Sequence, residues 1–395
     1  MPVIPLSNDP TATIRKRKKK FFYAAGSIDL PYLIILLAIL VTGLISLYSA
    51  SYAYSFYWNK GDSFFFIKRQ LIFAVLGVAA MFAASFIDYH RWHIAAWPLW
   101  VGSLLLLGIA LLLPAENGIH RWIRLPGNIQ FQPSEVAKFA MILLFAHIIS
   151  HNFSRIKTFF RGFLPLLLVL GFTCGLVIIE PHLSGTVLLC LLGLVLMFVG
   201  GCRMRYILGI ILLGAAAVFI AVFVLHYEQE RIDVWLDPMG VFNRDYTGRS
   251  QAWQTVQSLF AIGSGGLLGQ GPGNSRQKHL FLPEPQNDFI FSVVCEELGF
   301  VGAILIIVLF ALLVWRGFYI AMHAADKFGA ILATGLTAQI GLQVLLNIAV
   351  VTNSFPNTGI SLPFFSYGGT SLVMLLAQMG LVLAVSRQAN LPRSQ

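Results

Sequence analysis

The sequence predicts an all-α, polytopic membrane protein of about ten transmembrane helices with one large extracytoplasmic loop. Three observations carry this expectation. Apolar runs recur from about residue 30 to about residue 385, most of them near the roughly 20 residues that cross a bilayer as a helix. Only 11% of the 395 residues are charged, and 57% are hydrophobic, whereas about a quarter of a soluble domain is charged. Mean hydropathy is +0.77. A basic run, Arg15–Lys20 (RKRKKK), stands just before the first apolar stretch. It reads as a positive-inside anchor with attraction to anionic lipid. Much of the formal charge of +10 is therefore a membrane signal, and no nucleic-acid partner is expected.

Taken in order, residues 1–29 form a basic cytoplasmic tail, 30–386 a membrane domain and 387–395 a second cytoplasmic tail. Span one covers about 30–50. The aromatic stretch after it, about 51–67, suits a membrane interface. Spans two and three cover about 70–87 and 94–114, with a short return at Asp88–Trp92. Pro133 opens span four at the first helical position, where its missing N–H costs nothing. Glu135 and Lys138 follow at i, i+3 and share a face. They form either an internal ion pair or the wall of a polar cavity, and the two readings are compatible. The apolar stretch of about 163–200 is nearly twice a bilayer's thickness. Glu180-Pro181-His182 divides it into spans five and six, with one kinked helix as the alternative.

Span seven covers about 206–226, and residues 227–287 form the large loop. Within it, residues 251–260 have a helical period and are expected to lie flat at the interface. The glycines of residues 261–275 either approach a phosphate or form a flexible re-entrant loop. Span eight, about 289–314, contains Glu296 and Glu297. At least one of them needs a protein partner or a neutralising proton. Arg316 to Lys327 form an inner loop; spans nine and ten follow, separated by the Pro- and Gly-broken segment 353–370. The four cysteines lie in or beside apolar spans without metal spacing, and read as packing residues rather than disulfides.

Asp288 follows Pro283 and Pro285, which forbid a helix upstream, and precedes the apolar run of span eight. A carboxylate there serves as a helix cap or as a chemical group at the water boundary. Under one topology the polar stretches at 115–138, 180–182, 227–288 and 353–370 share the outer face. A transporter would instead place its polar groups near the midplane. One boundary carboxylate with nearby cations suits sugar transfer from a lipid diphosphate. A diphosphate leaves readily once its charge is neutralised, so a single base is enough.

Four ordered segments carry a resemblance: residues 121–140 (RWIRLPGNIQFQPSEVAKFA), 180–186 (EPHLSGT), 257–302 (QSLFAIGSGGLLGQGPGNSRQKHLFLPEPQNDFIFSVVCEELGFVG) and 357–372 (NTGISLPFFSYGGTSL). The chain resembles the shape, elongation, division and sporulation family, whose members include FtsW, RodA and SpoVE, and leans towards the FtsW and SpoVE branch. The resemblance implies polymerisation of lipid II into peptidoglycan glycan strands at the outer face of the bacterial cytoplasmic membrane. It also implies a class B penicillin-binding protein as partner. It places the family's essential aspartate on Asp288 and its charged pair on Glu135 and Lys138. Lys138, Arg249, Arg276 and Lys278 are candidate cations for the diphosphate, and Ser366 and Gly368 are further substrate-binding candidates. No organic cofactor is expected; a divalent cation, Mg or Mn, is the one candidate ion. Many members read Gln-Pro-Asp where this chain has Glu180-Pro181-His182, so no acid role carries over to position 182. Two rivals are a lipid II flippase and a non-catalytic scaffold. Only the enzyme would make glycan from lipid II in detergent.

Overall fold

The computed structural model describes residues 26–113, 121–125, 129–180, 183–224, 226 and 228–389. Among them are ten apolar helices. They are α1 (Leu30–Trp58), α2 (Phe65–Phe86), α3 (Trp92–Leu112), α4 (Pro133–His151), α5 (Leu164–Ile179), α6 (Leu183–Val199), α7 (Met204–Phe219), α11 (Ile290–Met322), α12 (Lys327–Val351) and α13 (Gly369–Gln388). Eight of the apolar segments are long enough to cross a membrane unaided, while α6 and α7 are shorter. A π-helical turn, Ile220–Val224, extends α7. Between α7 and α11 lie α8 (Gln229–Leu236), α9 (Pro238–Arg244) and α10 (Tyr246–Gly265). A two-stranded antiparallel hairpin, β1 (Ile123–Leu125) and β2 (Ile129–Phe131), precedes α4. The basic run Arg15–Lys20 and position His182 lie outside the described residues.

Two helices form the centre. Most of α4 and α12 is buried, from Ala137 to Ile149 and from Phe328 to Val351. The other helices present apolar side chains outward, as lipid requires, for example Ile72 and Val75 of α2 and Leu212 and Leu213 of α7. Pro133 stands at the start of α4 as the sequence predicts. The expected division at 180–182 also appears, with α5 ending at Ile179 and α6 beginning at Leu183.

Some expectations differ from the structure. Helix α11 runs on to Met322, eight residues past the expected end of span eight. Arg316 can stay helical there because its guanidinium bonds both carboxylate oxygens of Asp29, at 3.0 and 2.8 Å. Helix α10 does not lie free on a membrane surface. It packs between α9 and α11: Ala252 and Val256 are buried with Val234 of α8 and Val241 of α9, and the Ser258 hydroxyl donates to the Val351 carbonyl of α12 at 2.8 Å.

Helix α11 is itself broken at Gly299, whose φ of +67° is open to glycine at little cost. The Gly-rich loop docks into that break, which is the re-entrant alternative. The N–H groups of Gln270 and Gly271 bond the carbonyls of Glu296 and Glu297, at 2.9 and 3.0 Å. Phe300 N–H and Val301 N–H bond the Gly266 and Leu267 carbonyls, at 2.9 and 3.1 Å. The two buried carboxylates are both satisfied from the same loop. Glu296 accepts from the Ser275 hydroxyl and the Arg276 N–H, and Glu297 pairs with Lys278 at 2.7 Å and accepts from Ser49.

Candidate active site

The polar groups converge at one end of the bundle, where the chain passes from α1 to α2, α3 to α4, α5 to α6, α7 to α11 and α12 to α13. They enclose a cavity of about 770 Å³, within the size range of small-molecule sites. One wall is polar and carries Asp288, Glu284, Glu135, Lys138, Arg69 and Arg121. Another is apolar, from Ile72 and Phe73 of α2 to Leu372 and Leu375 of α13. Such a site fits an amphiphile with a charged head.

Asp288 is placed by backbone bonds rather than by its own side chain. The first helical turn begins after Phe289, and no side chain caps it. Capping, one of the two roles open to Asp288 in the sequence, is therefore not what its carboxylate does. The segment 359–368 folds back over it. Tyr367 N–H donates to the Gln286 carbonyl at 2.8 Å, and the Ser366 hydroxyl donates to the Asn287 carbonyl at 2.8 Å. Gly359, at φ +67°, lies so close that a β-carbon there would sit 3.0 Å from Asp288 Oδ2. The Asp288 carboxylate lines the cavity and makes no hydrogen bond among the described residues. Withdrawal from water pushes its pKa up to about 6, with repulsion from Glu284 adding and the Arg121 charge opposing.

Glu135 and Lys138 form the expected ion pair at 2.7 Å, buried in the cavity wall. The pair uses one oxygen of Glu135; the other, Oε2, has no partner among the described residues. Glu180 is fully buried at the end of α5, and neither of its oxygens has a partner among the described residues. The other candidates divide. Ser366 and Gly368 line the cavity, but Ser366 is occupied in holding the Asn287 carbonyl and accepting from Leu362 N–H. Gly368 N–H donates to Gln70 at 3.3 Å. Arg249 lies in a neighbouring pocket of about 580 Å³ that shares Glu284 with the main cavity. Arg276 is exposed and not part of the wall. Lys278 is buried beneath the loop against Glu297, so its charge is already spent on a structural partner.

The sequence reading misses Arg69, Arg121 and Asn347. Arg121 stands inside a motif singled out for other residues. Asn347 is the last of three buried amides, after Gln339 and Gln343, at four-residue spacing in the otherwise apolar run of α12. Among the described residues no three acidic, histidine or cysteine side chains gather as a metal ligand set.

The family of cell cycle proteins FtsW, RodA and SpoVE matches residues 30–391. The chain is 42% identical over 373 residues to stage V sporulation protein E of Bacillus subtilis (strain 168), covering 92% of this chain and 98% of that one. It is 38% identical over 363 residues to a probable peptidoglycan glycosyltransferase FtsW of Geobacter sp. (strain M18), covering 90% and 96%. It is also similar to a chain solved in a study of how a peptidoglycan synthase complex coordinates polymerization and crosslinking. The TM-score is 0.75 at 29% identity, covering 91% of this chain and 98% of that one.

Proposed function

The chain belongs to the family of cell cycle proteins FtsW, RodA and SpoVE, and from that premise we propose that Asp288 is the base that drives its glycosyl transfer. The protein is a multi-pass membrane peptidoglycan glycosyltransferase. Its substrate in this proposal is lipid II, a sugar head on a polyprenyl diphosphate. The polar wall takes the head and diphosphate, and the apolar wall between α2 and α13 takes the start of the lipid chain.

The acceptor nucleophile is a sugar hydroxyl, which attacks poorly until a base takes its proton as the bond forms. The Asp288 carboxylate accepts that proton. The anomeric carbon of the donor then gains the acceptor oxygen and loses the diphosphate oxygen in one inverting displacement. Arg69 and Arg121 line the same cavity and neutralise the departing diphosphate, while Lys138, paired with Glu135, shapes the wall beside them. A divalent cation, Mg or Mn, enters this reading as an ion carried by the diphosphate itself. Arg249, at the rim, is assigned to guiding the head group inward. The class B penicillin-binding protein is kept as the proposed partner, supported by the synthase complex in which a structural relative was solved. The cavity is assigned to the outer face, with both termini cytoplasmic.

The observation that carries the mechanism is a cavity-facing carboxylate with no hydrogen-bond donor of its own. A flippase is less well supported. The acids deeper along α11, Glu296 and Glu297, are bonded to protein groups instead of lining a path. The test is Asp288→Asn in purified protein given lipid II in detergent. The expected outcome is normal folding and a loss of about 10²–10⁴ in polymerisation rate. Near-normal glycan synthesis by that variant sinks the mechanism.

A further inference from the structure

Three successive carbonyls lead up to the base, and each is held from outside its own segment. Gln286 O accepts from Tyr367 N–H, Asn287 O from the Ser366 hydroxyl, and Asp288 O from the side-chain amide of Asn347 at 2.7 Å. The third donor differs from the other two. Tyr367 and Ser366 belong to the loop that lines the cavity, whereas Asn347 sits fully buried in α12 and does not line it. The same amide nitrogen donates to the Ile360 carbonyl at 2.6 Å. Both neighbours are carbonyls, so only the amino side of the amide can face them, and its orientation is fixed by chemistry.

Burying an amide in an apolar helix is costly unless it is bonded. The Asn347 oxygen has no partner among the described residues, so the nitrogen side alone repays that cost. What it joins is specific. Asp288 O lies outside the α11 ladder, whose first turn closes on Phe289 O. Ile360 follows Gly359, the residue pressed against Asp288 Oδ2. The amide therefore ties the backbone that carries the carboxylate to the backbone that limits where it can stand.

We infer that Asn347 is the positioning residue of the glycosyl transfer, setting the location of the Asp288 carboxylate from behind the cavity wall without touching substrate. The inference rests on Asp288 being the base. A misplacement of about 1 Å can cost about 10² in rate.

The experiment uses the full-length protein and lipid II in detergent. Asn347→Leu keeps the branched outline with bulkier methyl ends and removes both donors; Asn347→Ser keeps one donor on a shorter arm. The expected result for Asn347→Leu is a fall in kcat of about 10²-fold with KM within about two-fold. Asn347→Ser is expected to lose less. If the leucine variant fails to fold, the serine variant decides by the same split between kcat and KM. In an Asp288→Asn background, Asn347→Leu should cost nothing further, because there is no base left to misplace. An equal fold-loss in that background overturns the inference, as does a change confined to KM or unaltered kcat in both variants. The two readings separate cleanly. Activity in Asp288→Asn alone removes the base, while an inactive Asp288→Asn beside fully active Asn347 variants removes only the positioning role.

Discussion

A carboxylate that loses water without gaining a hydrogen-bond donor holds its proton more tightly, and Asp288 is in that position. With Asp288 as the proposed base, burial that lifts its pKa to about 6 predicts where catalysis begins to fail. Only the ionised form accepts a proton, so kcat/KM should fall as pH drops through about 6, approaching tenfold per unit below it. An ordinary aspartate would lose function about two units lower. Glu284 contributes to the rise by like-charge repulsion. Glu284→Gln should therefore move the acid limb to lower pH, which a pH series of polymerisation rates checks; an unmoved limb removes Glu284 from the account. At this scale the sequence was informative in one direction. It placed Asp288 at a helix start beside polar company. It could not separate base from cap, because the separation depends on donors from residues 347, 366 and 367, far along the chain.

At the scale of elements, helix existence was readable from apolar run length, and the division of α5 from α6 from a polar triplet. The docking of the glycine loop into the α11 break was not readable. It depends on pairing between segments about 30 residues apart in which glycines serve both sides. The same docking decides the role of Lys278, which looks like a free cation in the sequence and is a buried partner of Glu297 in the fold. Breaking a buried pair leaves one uncompensated charge and costs about 3–5 kcal/mol, whereas removing both charges costs far less. Lys278→Met alone should lower the thermal midpoint strongly in detergent, and adding Glu297→Gln should recover much of it. A double variant no more stable than the single would return Lys278 to the list of substrate cations.

At the scale of the whole molecule, alternation of spans brings five connections to one end, and the cavity forms where they meet. That convergence was legible before any side chain was placed. Which cations face the cavity was not. Arg69 stands in the first turns of α2 and Arg121 in a connection the sequence marks only as turn-rich, and the packing of α2 on α13 brings Arg69 to the same cavity as Asp288. Orientation is the testable part. Tyr246 and Asn274 are exposed in the large loop, and three of the four native cysteines are buried. A cysteine at either position should react with a membrane-impermeant maleimide from outside intact cells. Reaction only after permeabilisation would invert the topology and move the cavity to the cytoplasmic side.

The interruption at Gly299 has mechanical meaning. In water a helix broken at glycine is a hinge, since solvent replaces whatever bonds the bend gives up. Gly299 lies roughly 14 Å along the helix from Ile290, where exposed amides find no such replacement. Its four cross-bonds to the loop therefore behave as a weld. Two of them fall before the break, on Glu296 and Glu297, and two after it, on Phe300 and Val301, so the loop holds both halves of α11 at one fixed angle. A load on the loop is therefore shared by the whole of α11, and the chain enters that helix through Asp288 and Phe289.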